Sequence, residues 1–228
     1  YRVTITHLVP TQFVRLLAGH PWFKTAWLGA SERSEGRAYS EAMKWRLSTP
    51  PPAEILGMNV ETCTPGRAPK ILFSALDAAA ATDIEPAFAA AGHIVVSNAR
   101  SYRMFADVPL VIPEVNPDHL ALIARQRRER GWSGAIVTNP NCSTVVLSVV
   151  LAALRTFGLS RVMVTTLQAV SGAGYPGVAS LDILGNVIPA ISGEEEKMES
   201  EPQKILGTLD RDGVTPHPMV VSATTTRV

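Results

Sequence analysis

The chain has little that would mark a specialised environment, and each shortage excludes something. Of its 228 residues only two are cysteines, Cys63 and Cys142. That is too few for a disulfide scaffold, so a reducing, cytoplasmic setting is expected. No charge of one sign predominates: the formal net charge is +1, which gives neither nucleic acid nor an anionic membrane an electrostatic hold. No apolar run approaches the length of a membrane span, and the first residues lack the pattern of a signal peptide. Repeats are absent, and the only biased stretch is the alanine run after Asp77. An initiating methionine is missing too. The chain opens on Tyr1, so a fragment, a processed form or part of a longer protein is expected. What remains is a globular composition, 46% hydrophobic against 18% charged, long enough for one good core or one and a half smaller ones.

Strand and helix signals alternate. Thr11 to Gly19 has helical apolar spacing and ends at Gly19 and Pro21. Thr25 to Gly29 reads as a strand before a turn-rich segment, and Lys70 to Leu76 as another. Asp77 to Ala91 reads as a helix closed by Gly92, followed by strands at His93–Ser97 and Leu110–Ile112, and a charged surface helix from His119 to Arg130. This spacing argues for a parallel sheet with helices on its faces. From about Arg161 the texture changes to a β-branched strand, a glycine-rich loop and an acidic helix over Gly193 to Leu206. The expected division is therefore 1–141 and 142–228, with the second unit incomplete.

The most informative segment is Thr138-Asn139-Pro140-Asn141-Cys142-Ser143-Thr144. A short apolar strand leads into it, and an apolar stretch from Thr144 to Phe157, read as a buried helix, leads away. Cys142 then stands at a helix N-terminus, where unpaired N–H groups and the helix dipole favour a thiolate. The plainer alternative is a buried cysteine acting as a small apolar filler, but the flanking residues are turn and cap formers. Three further clusters stand out. Gln168 begins a loop with Ser171, Gly172, Gly174 and Gly177, which is either a ligand cradle or an ordinary mobile loop. Glu194-Glu195-Glu196-Lys197 is either a solvated helix face or a clamp for a zwitterion. Arg100 and Arg103 follow a strand end, where α/β folds place ligands and where an arginine forks onto carboxylate or phosphate.

In order along the chain, His20-Pro21-Trp22-Phe23, Leu28 to Ser34, Phe73 to Leu76, Ser97 to Arg100, Pro109 to Asn116, Asn141-Cys142, Gln168 to Gly177, Gly193 to Lys197 and Lys204 to Gly207 resemble the aspartate-semialdehyde dehydrogenase family of fungi and archaea. The resemblance implies a Rossmann-like doubly wound parallel sheet followed by an incomplete α+β catalytic and dimerisation domain. It implies NADP-dependent reductive dephosphorylation of L-4-aspartyl phosphate in a homo-oligomer acting on a small molecule, with no metal. It makes Cys142 the nucleophile, Gln168 the residue orienting the acyl group and Asn141 a support. Arg103 and Lys197 become phosphate ligands, Glu195 the partner of the substrate ammonium and Arg227 the fork for its carboxylate. Ser31, Arg33 and Ser34, with Ser171 and Gly172, would hold NADP.

Two departures from the family pattern carry their own expectations. Thr4 to Pro10, where the family has a glycine-rich phosphate loop, contains no glycine, so side chains at Thr4, His7 and Pro10 should crowd a pyrophosphate. The family's acid/base histidine lies beyond the position of Arg227, and a site without it should lose roughly 10²–10⁴ in acyl-transfer rate. The alternative function is thus a diverged member that has lost dinucleotide redox and serves another biosynthetic step or a binding role.

Overall fold

Six short strands are joined into one all-parallel sheet in the computed structural model, which describes residues 2–6, 10–211 and 213–228. In chain order the first unit contains β1 (Arg2–Thr6), α1 (Pro10–Leu17), β2 (Lys24–Ala30), α2 (Tyr39–Ala42), α3 (Ala53–Leu56), β3 (Val60–Thr62), β4 (Ile71–Ser74), α4 (Ala78–Ala90), β5 (Ile94–Ser97), α5 (Leu122–Arg130) and β6 (Ala135–Thr138). The strand order is β3-β2-β1-β4-β5-β6, with the reversal beside β1 that marks a doubly wound dinucleotide-type sheet. Successive side chains of a strand face opposite sides, and β2 shows this directly. Trp27 packs with Leu72, Phe88, Val95 and Ile136, whereas Leu28 packs with Val14, Tyr39, Ile55 and Val60. Both faces are therefore covered, as a parallel sheet requires.

Helix α4 shows how a local irregularity is absorbed. Asp77 caps it by accepting the Ala80 N–H at 3.0 Å. Pro86 inside the helix has no N–H for the carbonyl four residues back, that of Thr82. The Tyr102 hydroxyl donates to that carbonyl at 2.6 Å. Two expectations for this unit need correction. Leu110–Ile112 forms no strand. Leu110 makes a single parallel bridge to Thr138, because Pro109 and Pro113 flank it and supply no N–H for a ladder. The His119–Arg130 segment starts as a 3₁₀ turn, Pro117–Ala121, and is not wholly a surface helix. His119 and Gln126 are buried, and the Gln126 amide clamps Ile136, accepting its N–H at 2.8 Å and donating to its carbonyl at 3.0 Å.

The second unit comprises Ile112–Pro117 and Pro140–Val228, and the first the remainder. The second holds α6 (Cys142–Leu154), β7 (Arg161–Gln168), α7 (Ser180–Ile183), β8 (Ile188–Pro189), α8 (Glu194–Ile205), a hairpin of β9 (Thr208–Asp210) and β10 (Gly213–Thr215), and β11 (Val220–Arg227). Its three-stranded sheet runs β7-β11-β8, with β7 and β11 parallel in continuous register from Arg161↔Val220 to Gln168↔Arg227. Leu151, Leu206, Met219 and Val221 form its core. The expectation of a buried helix after Cys142 is overturned. Thr144, Ser148 and Leu151 face inward, while Val146, Val149, Val150 and Leu154 are exposed and Phe157 beyond them is 82% exposed. A helix apolar all round gives no periodic signal for which face turns inward; here the polar stripe does. One face of β7 is similarly uncovered, with Met163 90% and Leu167 72% exposed.

Replacing Asp77 by Ala should lower unfolding stability by about 1 kcal/mol through loss of the α4 cap. The exposed Asp83→Ala should stay within about 0.5 kcal/mol of the parent. Urea denaturation of both variants checks the difference.

Candidate active site

Asn141 is the junction of the candidate site. Its Oδ1 accepts the N–H groups of Ser143 at 3.0 Å and Thr144 at 3.4 Å, which starts α6 with Cys142 as its first residue. The same side chain donates through Nδ2 to both oxygens of Glu194, at 3.0 and 3.1 Å. Its backbone N–H donates to Glu201 at 2.8 Å. Two carboxylates of α8 thus hold the residue before the thiol, and Cys142 itself is exposed. The expectation of a thiol at a strand-to-helix turn matches this geometry.

The start of α8 distributes its acidic residues by helical phase. Glu194 faces Asn141 and pairs with Lys197 at 2.9 Å, one turn on. Glu195 points elsewhere: its Oε1 accepts the Thr225 hydroxyl at 2.6 Å and the Thr225 N–H at 3.1 Å. Chiefly through that hydroxyl, the Glu195 carboxyl is held below its ordinary value. Glu195 therefore fastens α8 to β11, and the carboxylate grouped with Lys197 and Asn141 is Glu194. Sequence reasoning chose among three consecutive glutamates without the helix phase. The i,i+3 spacing to Lys197 was the available signal. The reading of this face as solvated, which runs on through Glu199, Glu201 and Lys204, also gives way, since Glu194, Glu195 and Lys197 are half-buried and Glu201 and Lys204 are buried.

Register brings the next pair together. Arg227 and Gln168 are partners at the ends of β11 and β7. Gln168 donates to Thr166 Oγ1 at 3.2 Å, and Arg227, buried, donates through Nη1 to the Ala169 carbonyl at 2.9 Å. A Cβ on Gly172 would stand 2.7 Å from that Nη1, so a side chain at 172 would push the guanidinium aside. Ser171 shares this 3₁₀ turn, Val170–Ala173. The second unit thus holds two groups: Asn141, Cys142, Glu194 and Lys197 at the starts of α6 and α8, and Gln168, Gly172 and Arg227 at or just past the ends of β7 and β11.

The remaining candidates belong to the first unit. Arg103 is 8% exposed and donates through Nη2 to the Asn98 carbonyl at 2.8 Å, just past β5. Ser31 and Arg33 are exposed after β2, and Ser34 is buried. A hydroxyl and a guanidinium just past the end of β2 can both donate, which suits an anion. Of the glycine-free segment, His7 to Val9 lie outside the described residues. Thr4 is in β1, and Pro10 opens α1, where it supplies no N–H. Among the described residues, no group of three or more His, Cys, Asp or Glu is placed to hold a metal ion, and no helix is long and apolar enough to cross a membrane.

Fold and site together define a class: a Rossmann-type sheet joined in sequence to a mixed α/β unit that carries an exposed thiol at a capped helix start. Comparison with known proteins narrows it. Residues 5–123 match the family model described as semialdehyde dehydrogenase, NAD binding domain, and residues 151–228 the one described as semialdehyde dehydrogenase, dimerisation domain. An aspartate-semialdehyde dehydrogenase of Archaeoglobus fulgidus is 49% identical over 98% of this chain and 65% of its own length. One from Cryptococcus neoformans is 50% identical over 98% of this chain and 64% of its own. The crystal structure of the Candida albicans aspartate semialdehyde dehydrogenase with NADP matches with a TM-score of 0.90 at 39% identity, covering 100% of this chain and 67% of that one. The chain belongs to the aspartate-semialdehyde dehydrogenase family, and it spans just under two thirds of the length of the A. fulgidus and C. neoformans relatives.

The two thiols should separate by reactivity. Burial pushes the Cys63 thiol up to about 11, so at pH 8 it is almost wholly protonated and its labelling should rise only as the pH climbs toward that value. Iodoacetamide at pH 8 should therefore modify Cys142 at least about 100-fold faster than Cys63. Peptide mass spectrometry reads the ratio, and comparable rates would contradict the placement.

Proposed function

We propose that this chain carries the cofactor-binding unit and the nucleophile of an NADP-dependent aspartate-semialdehyde dehydrogenase that converts L-4-aspartyl phosphate to aspartate semialdehyde. The supporting observation is the exposed Cys142 thiol at the start of α6, with its cap Asn141 held by Glu194 and Lys197 on that same carboxylate. The thiolate attacks the acyl carbon: a C–S bond forms, the acyl C–O bond breaks, and phosphate departs with that bond's electron pair. When bound, NADPH supplies the hydride that reduces the thioester. Cys142 sulfur is then the leaving group, and the aldehyde forms as the C–S bond breaks.

The remaining residues bind and orient. Glu194 takes the ammonium role in place of Glu195, because it stands with Lys197 and with Asn141, the residue before the thiol, whereas Glu195 is turned to Thr225 of β11. Lys197 supplies positive charge for phosphate, and Arg103 is the anion-binding group of the first unit. Arg227 forks onto the substrate carboxylate and Gln168 orients the acyl group. Ser31 and Arg33 hold the 2′-phosphate of NADP, with Ser34 shaping their turn, and the Ser171–Gly172 backbone lies against the cofactor. The uncovered apolar faces of α6 and β7 serve a homodimer, and the setting is cytoplasmic.

In the phosphate-dependent oxidation of aspartate semialdehyde, Cys142→Ala should lower turnover by at least about 10⁴-fold while NADPH binding persists. Glu194→Gln should raise the KM for aspartate semialdehyde by roughly 10- to 100-fold, and Glu195→Gln by much less. Steady-state kinetics and an NADPH fluorescence titration check these outcomes. Failure of NADPH to bind would favour the diverged reading, raised by the glycine-free Thr4–Pro10 segment, in which thiol chemistry survives without dinucleotide redox.

A further inference from the structure

We propose that Glu85 is a positioning residue for Arg103, acting through Ser97 and the Asn98 turn; the inference rests on the reading of Arg103 as a phosphate-binding group. Glu85 projects from α4 and is 1% exposed. Ser74 and Ser97 are register partners at the last positions of the adjacent strands β4 and β5. Both hydroxyls donate to the same oxygen, Glu85 Oε1, at 2.6 Å. A serine hydroxyl has one proton, so donating it to Glu85 commits the serine oxygen to accepting elsewhere. Ser97 Oγ accordingly accepts the Ala99 N–H at 3.0 Å.

That contact sets the turn from which Arg103 is held. The Asn98 N–H donates to the Ser74 carbonyl at 2.9 Å, and the Asn139 N–H to the Ser97 carbonyl at 2.8 Å. Asn98 Oδ1 accepts from Asn139 Nδ2 at 2.6 Å. The Asn98 carbonyl, fixed on both sides, receives Arg103 Nη2 at 2.8 Å. Every step from the carboxyl to the guanidinium is a hydrogen bond or one peptide link.

A carboxyl is an expensive side chain to bury beside an apolar core. Packing does not call for one, whereas a single oxygen that accepts two hydroxyls locks both strand-end serines as donors. Burial pushes the Glu85 carboxyl up, against the two serine hydrogen bonds that pull it down, and glutamine offers the same accepting oxygen at the same reach. An arginine fork binds phosphate well only when its plane is held in place, so loosening the Asn98 turn should act on anion affinity.

The test is isothermal titration of inorganic phosphate into the full chain. Arg103→Ala should weaken phosphate binding strongly and Glu85→Ala roughly tenfold. The double variant should bind no more weakly than Arg103→Ala alone, because one effect passes through the other. Glu85→Gln keeps an oxygen that accepts both hydroxyls and should bind within about twofold of the parent, even where its melting temperature falls. A Glu85→Ala penalty that recurs in full on the Arg103→Ala background overturns the inference, as does an unchanged affinity in Glu85→Ala when Arg103→Ala has weakened it. If Glu85→Ala does not fold, Ser97→Ala breaks the next link and is judged by the same two results. Unchanged binding in Arg103→Ala removes the reading of Arg103 as a ligand, and the inference with it.

Discussion

Asn141 satisfies three separate demands with one residue. Its side-chain carbonyl closes the first turn of α6, its amide nitrogen meets Glu194, and its backbone N–H meets Glu201. The helix therefore begins at Cys142 and nowhere else, which leaves the thiol at the positive end of the helix dipole. The same contacts set the phase of α8. With Glu194 turned to Asn141, Lys197 falls on the same side and Glu195 turns to Thr225 of β11. Register along β11 and β7 then places Arg227 opposite Gln168.

The first unit solves a related problem at its strand ends. Parallel strands buried on both faces finish in polar residues that must find partners away from bulk water. Glu85 takes the hydroxyls at the ends of β4 and β5, Tyr102 takes the carbonyl freed by Pro86, and Gln126 completes β6 with its side-chain amide. Tyr102 and Gln126 thus stand in for missing backbone partners, and Glu85 pairs two buried hydroxyls. They leave the turn after β5, which carries Arg103, tied at several points.

Much of the fold was legible because its signals are local. Alternating strand and helix segments, Asp77 before an alanine run, and Asn141 before an apolar stretch each specify an element from neighbouring residues alone. The misreadings share a cause. Leu110–Ile112 is apolar and ends in two β-branched residues, but prolines on both sides deny it a ladder. The stretch after Cys142 is apolar around the whole helix, so composition could not show that Thr144 and Ser148 turn inward while Val146 turns out. The substrate role of Glu195 rests on family likeness alone, while helix phase sets its carboxylate against Thr225.

The sequence by itself determined the class of the chain: a parallel α/β unit, a thiol at a capped helix start, and a family resemblance carried by ordered motifs. These depend on spacing along the chain, which sequence displays directly. Only the tertiary structure decided which of three adjacent glutamates stands with Lys197, that Arg227 and Gln168 are neighbours, and that a buried glutamate governs two serines far from it in sequence. Those facts depend on helix phase, strand register and the pairing of buried polar groups, and such pairings arise only when distant segments have packed.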